Sequence, residues 1–189
     1  MTEATEELVK VYLERKGYLV TLSKRVDAKT TNNSPRAELD IVAVKTKNDN
    51  SINLPLRIIG EVKSYDLPVN ALEELYEDLK IKQNLKYRKE YSRYKWINNK
   101  IYQNKIITEV NKEYGFSDFK FVLFCLKIQS KFEKQIRAFL KSKNIYVITH
   151  DQIIKELYDS VNNEYIDNQI LQLLRLIKKS TNTQIVLKK

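Results

Sequence analysis

The feature that most constrains this chain is a pair of apolar segments that each carry charge. The run Ala37-Glu38-Leu39-Asp40-Ile41-Val42-Ala43-Val44 reads as a strand. A polar turn over Lys47-Asn48-Asp49-Asn50-Ser51 follows, and a second strand returns through Ile58-Ile59-Gly60-Glu61-Val62-Lys63. Side chains alternate faces along a strand, so Glu61 and Lys63 share a face, as do Glu38 and Asp40. A charged group within a buried strand is costly unless it is paired or bound to a metal. Asp40, Glu61 and Lys63 on neighbouring strands therefore predict a site as well as a hairpin.

The flanking sequence supplies the frame. A first helix carries Glu3, Glu6 and Glu7 in its opening turns and the apolar stripe Ala4, Leu8, Val11 and Tyr12; Gly17 closes it. Tyr18 to Leu22 reads as the first strand, and Lys24 to Arg36 as a polar loop. The charged hairpin spans about Ala37–Lys45 and Leu56–Lys63. Asn70 and Glu73 signal the start of a long helix, with a break near Asn98-Asn99. Phe119 to Lys127 is a near-continuous apolar strand, best read as central. Ser130 with Glu133 caps a helix striped by Phe132, Ile136, Phe139 and Leu140. Ile145 to Ile148 is a fifth strand, and Thr149 with Gln152 caps the next helix. The last helix carries Ile166, Ile170, Leu174 and Ile177, and the tail Ile185–Lys189 reads as an edge strand. His150, the one histidine, falls at a helix cap far from the acidic cluster and reads as structural. The order α-β-β-β-α-β predicts an α/β fold with a mixed central sheet flanked by helices. We expect one domain over residues 1–189, its core about 1–150 and a C-terminal helical extension about 151–189.

Asp40 followed after a hairpin by Glu61-Val62-Lys63, behind a helix bearing Glu7 and then Gly17-Tyr18, resembles the PD-(D/E)xK nuclease superfamily. That group includes restriction endonucleases, archaeal Holliday-junction resolvases and RecB-like nucleases. The chain departs from the motif in having Leu39 where many members have proline. The stretch Gly60 to Leu79 also looks like archaeal members of the superfamily. The resemblance implies a restriction endonuclease-like core and a Mg²⁺- or Mn²⁺-dependent deoxyribonuclease. It implies metal ligation by Asp40, Glu61 and the Val62 main-chain carbonyl, with Glu7 reaching the metal directly or through a water. Glu6 and Glu14 are the alternatives to Glu7, and dipole compensation is its purely structural reading. Lys63 would orient the attacking water or stabilise the transition state. Gln83 and Tyr87 match the Q-x-x-x-Y spacing of RecB-like nucleases, although a tyrosine stripe is as readily core packing. Ser34, before Pro35, is either the serine of a resolvase-like loop or a turn former. Glu38 is either an accessory acid or a solvated strand-end residue.

Composition enters through charge. The chain has a formal net charge of +10, and Lys80 to Lys105 holds nine Lys/Arg against one acid, Glu90. A concentrated basic face attracts a phosphate backbone through counterion release. Lys24, Arg25, Lys29 and Arg36 in the loop are expected to touch DNA, as are Lys86, Arg88, Lys89, Arg93 and Lys95 in the helix. Tyr91, Tyr94, Trp96 and Tyr102 interleave with the helical bases, ready to stack on nucleic acid or to pack inward beneath them. The single Cys125 excludes an internal disulfide. No apolar run approaches the ~18 residues of a membrane span, and the acidic N-terminus lacks a signal peptide's basic region. A cytoplasmic protein is expected, with no membrane partner and, by the resemblance, a homodimer. Three functions fit: a structure-selective or restriction-like endonuclease, a RecB-like exonuclease, or a catalytically degenerate nucleic-acid binder.

Overall fold

The computed structural model describes residues 4–26, 37–45, 54–64, 96–97, 99–128, 133–161 and 168–187, the last seven as backbone alone. Within them the elements are α1 (Ala4–Arg15), β1 (Leu19–Val26), β2 (Ala37–Val44), β3 (Arg57–Lys63) and α2 (Lys100–Tyr114). β4 (Lys120–Cys125), α3 (Glu133–Ser142), β5 (Ile145–Thr149), α4 (His150–Ser160) and α5 (Gln169–Leu187) follow. The long helix expected from Asn70 lies outside the described residues.

The five strands form one open, mixed sheet in the order β1-β2-β3-β4-β5. β1, β2 and β3 make antiparallel pairs, and β3, β4 and β5 make parallel ones. This is an α/β protein with helices on both faces of the sheet. On one face Val42, Val44, Ile59, Leu123 and Cys125 pack with Ile106 and Val110 of α2 and with Ile136 and Leu140 of α3. On the other, Ile41, Ala43, Ile58, Val62, Val122 and Phe124 pack with Val9 and Leu13 of α1, Ile153 and Leu157 of α4, and Leu171 and Leu174 of α5. Parallel strands buried on both faces need continuous apolar runs, and Phe121 to Cys125 is one.

Local chemistry sets the helix ends. Gly17 has φ +83°; its N–H donates to Glu14 O at 2.9 Å and that of Tyr18 to Leu13 O at 3.1 Å. This is the Schellman closure, for which a glycine is favoured. Asn99 caps α2, its side chain accepting from Tyr102 N at 3.0 Å, so the helix begins at the expected break. Thr149 Oγ1 accepts from Gln152 N at 3.3 Å at the start of α4. Glu156 of α4 accepts from the Tyr12 hydroxyl of α1 at 3.1 Å and pairs with Lys16 at 2.7 Å.

Several boundaries differ from expectation. β1 runs to Val26, so Lys24 and Arg25 are strand residues and not loop; pairing with β2 outweighs their polarity. The tail through Leu187 is helix, not an edge strand. α5 turns Ile170 and Leu174 of the expected stripe to the core and buries Leu171 beside them, while Ile177 stays exposed. α1 likewise buries Val9 and Leu13 beside Val11 and Tyr12.

Candidate active site

The two charged strands meet where their ladder ends. β2 and β3 pair from Val44↔Arg57 to Ile41↔Gly60. One residue further, Asp40 Oδ2 takes the Val62 N–H at 2.7 Å. An orphaned amide beside the sheet would cost about 1–3 kcal/mol, so the carboxylate substitutes for the missing backbone partner. It also turns Asp40 toward β3.

A kink prepares that turn. On β1, Ser23 adopts φ +51°, and it stands opposite Asp40 in the register that pairs Leu22 with Ile41 and Lys24 with Leu39. Below this point the alternation reverses: Leu39 and Ala37 join the core layer of Val42 and Val44, not that of Ile41 and Ala43. A non-glycine residue at positive φ is uncommon, and local strand distortions of this kind re-aim side chains. Simple alternation from Glu38 to Asp40 therefore fails here.

Glu61 and Lys63 project from β3 on the face of Ile59. Lys63 Nζ pairs with Glu61 Oε1 and lies 4.0 Å from Asp40 Oδ2. The side chains of Lys63, Asp40 and Glu61 are 17%, 21% and 26% exposed, which leaves the cluster open to a ligand. Burial pushes the Glu61 carboxyl above the usual carboxylate range; the Lys63 charge opposes the rise and the Asp40 charge adds to it.

Two acidic oxygens crowded in this way suit a hard divalent cation, which would relieve their repulsion. In an extended residue the N–H and C=O point to the same edge, so the Val62 carbonyl faces the side on which its N–H meets Asp40. Two carboxylates and a carbonyl match Mg²⁺, which binds through one or two carboxylates and keeps waters or substrate phosphate. Among the described residues no group of three or more His, Cys, Asp or Glu could hold a metal. Glu7 thus does not join Asp40 and Glu61 in such a group; it pairs at 3.4 Å with Lys10, its neighbour one turn along α1.

The expected DNA contacts divide. Lys24 forms an ion pair with Glu113 of α2, which raises its pKa. Arg25 lies 3.8 Å from its cross-strand partner Glu38, both well exposed, so Glu38 is a solvated strand residue away from the cluster. Lys29, Ser34, Arg36, Gln83, Lys86, Tyr87, Arg88, Lys89, Arg93 and Lys95 lie outside the described residues. His150 is 1% exposed, the first residue of α4, with burial lowering its pKa. Tyr102 of α2, one of the aromatics expected to stack on nucleic acid or to pack inward, is half-buried against the core cluster. Burial, and then the charge of Glu61, raise its phenol pKa.

The class so defined is an α/β protein with a five-stranded mixed sheet and a carboxylate–carboxylate–lysine cluster at the fork of two strands. No family model, curated protein or solved structure matches this chain. No helix among the described residues is long and apolar enough to cross a membrane.

Proposed function

We propose that the chain is a metal-dependent nuclease that hydrolyses DNA phosphodiester bonds, and an endonuclease in particular. The observation that carries this reading is the convergence of Asp40, Glu61 and Lys63, with one ammonium placed between two acids from adjacent strands. The strand order and pairing support a restriction endonuclease-like αβββαβ arrangement, and the net charge of +10 supports a polyanionic partner.

Asp40, Glu61 and the Val62 carbonyl would hold Mg²⁺ or Mn²⁺, which supplies water activation and neutralises charge on the phosphoryl group. The protein's part is orientation and electrostatics. The Val62 N–H fixes Asp40 by donating to its Oδ2. Glu61 holds the Lys63 ammonium where it can face a phosphate oxygen and stabilise the transition state. Lys63 as a base would need a strongly depressed pKa, so the electrostatic role asks for less. DNA as substrate, a homodimer and a cytoplasmic setting belong to the same proposal.

Purified protein with Mg²⁺ or Mn²⁺ is expected to nick circular duplex DNA. Lys63→Ala should abolish cleavage, by 100-fold or more on the order seen for lost transition-state donors, with an unchanged circular dichroism spectrum. Undiminished cutting by this variant would overturn the assignment. Cutting confined to linear DNA would instead indicate an exonuclease, and a gel shift without cutting a binder.

A further inference from the structure

α5 has two apolar faces, and only one of them is covered. Leu171 and Leu174 are buried in the layer shared with α1 and α4. Leu173, Leu176 and Ile177 stand at i, i+3 and i+4, a spacing that puts them on one face, and they are 58%, 64% and 46% exposed. Elsewhere among the described residues, exposed large apolar side chains occur one to an element. Single exposed leucines are ordinary on a protein surface, whereas a contiguous apolar stripe marks a contact face. A helix apolar on both sides belongs between two layers, not at a surface.

The charges around the stripe narrow what covers it. From Asn168 to Ser180 the chain holds Arg175, Lys178 and Lys179 and no acid. α4 is tied to α5 by Lys178, whose ammonium lies 5.3 Å from the Tyr158 ring centroid and donates to the Tyr158 and Val161 carbonyls. α4 holds Asp151, Glu156 and Asp159 against Lys155, with Asp151 and Asp159 exposed. A nucleic acid or an anionic lipid surface would attract the bases of α5 but be repelled by the acids of α4. A second copy of the same helix pair offers acids to the bases, bases to the acids and an apolar stripe to the stripe. Self-complementarity of this kind is what a two-fold interface requires. α5 also packs on the α1–α4 side of the sheet, across from the face on which Glu61 and Lys63 project, so a partner seated on it leaves that cluster open.

We propose that α5 forms a two-fold interface with α5 of a second copy, the Leu173–Leu176–Ile177 stripes interleaving and the acids of each α4 meeting the bases of the opposite α5. A stable dimer buries about 800 Å² on each copy, more than three side chains offer, so the interface includes α4 as well as α5. The inference gives the homodimer of the nuclease reading a surface, and it is decided without DNA or metal.

Sedimentation velocity of the full chain reads the oligomeric state directly. Wild type at micromolar concentration should sediment as twice the 22.4 kDa chain. Leu176→Glu should raise the dimer dissociation constant by about tenfold or more, as for loss of a central apolar anchor. Its circular dichroism spectrum should be unchanged, because the side chain is exposed. Leu173→Gln is the milder variant, shifts the equilibrium in the same direction by less, and decides the matter if Leu176→Glu misfolds. Leu19→Glu changes a leucine on β1 that is 75% exposed, and should leave the dimer intact. A monomeric wild type would overturn the proposal. So would a dimer that persists in both α5 variants, or one that Leu19→Glu dissociates as readily. A monomer that nicks circular DNA keeps the nuclease reading and removes this interface, and an inactive chain whose dimer the α5 variants dissociate does the reverse.

Discussion

Asp40 serves the fold and the proposed chemistry through the same carboxylate, and substitution can separate the two roles. Asparagine retains a carbonyl oxygen that can accept the Val62 N–H, now 2.7 Å from Asp40 Oδ2, but lacks the charge a divalent ion needs. Asp40→Asn is therefore expected to keep stability within about 0.5 kcal/mol and to lose Mn²⁺ binding in a calorimetric titration. Asp40→Ala orphans the amide and should also destabilise by about 1–3 kcal/mol. Equal Mn²⁺ affinity in wild type and Asp40→Asn would remove Asp40 from the ligand set. His150 gives a second test at this scale. Burial lowers its folded pKa from the ordinary 6.5, against a smaller opposing effect of Asp151. In the window between the lowered folded value and 6.5, the unfolded chain binds more protons than the folded one. Stability is therefore full above 6.5 and falls as pH drops through that window. Urea unfolding of wild type and His150→Leu at a series of pH values should show the wild-type curve falling more steeply below 6.5. Parallel curves would show that His150 does not contribute.

At the scale of elements, the position of the site depends on how closely β2, β3 and β4 approach. A Cβ on Gly60 would stand 2.9 Å from Phe124 Cε2 and 3.1 Å from Ile41 Cβ, tighter than real contacts allow. Gly60→Ala should lower the unfolding free energy by about 1–3 kcal/mol, read from urea denaturation. Phe124→Leu in the same chain should recover part of that loss, because the two changes share one contact. An undisturbed midpoint in Gly60→Ala would show that the strands can separate there without cost. Much of this layer was legible in the sequence. Phe121 to Cys125 announces a buried strand because both its faces are apolar, and Glu61 with Lys63 stands out because charge inside such a run needs a reason. The reach of β1 was not legible: Lys24 and Arg25 look like loop, and only pairing with β2 makes them strand. Nor was the kink at Ser23, since positive φ at a serine has no residue-type signature and reverses an alternation otherwise sound. On α5, Ile170 and Leu174 pack inward as their spacing suggests, but spacing alone does not tell the buried Leu171 from the exposed Ile177. Packing against α4 decides between them, helped by the Lys178 ammonium, which donates to Tyr158 O and Val161 O at 2.9 Å each.

For the whole molecule, the question is whether charge and site address the same ligand. The chain carries +10 overall with a pI near 9.4, yet several of its described cations face carboxylates: Lys24 meets Glu113, Arg57 meets Asp118, and Arg137 meets Glu133 at 2.7 Å. Such surface pairs contribute only about 0–1 kcal/mol each, so a polyanion can compete for them. Long-range attraction should remain even where local pairs exist. Duplex affinity measured without divalent ions is therefore expected to fall steeply with salt, log K declining against log[salt] by about 0.9 for each phosphate neutralised. A slope of several units would mean that several phosphates are neutralised together. Lys63→Ala should reduce it by no more than about one, because that residue meets one phosphate while the remaining cations set the rest. Cleavage under Mg²⁺ should fall with salt in the same proportion at subsaturating DNA, and much less at saturation, if binding and chemistry occur at one face. A flat salt dependence of binding would separate the basic charge from the Asp40–Glu61–Lys63 cluster, leaving an acid–lysine site that must then be fitted to a smaller phosphate ester.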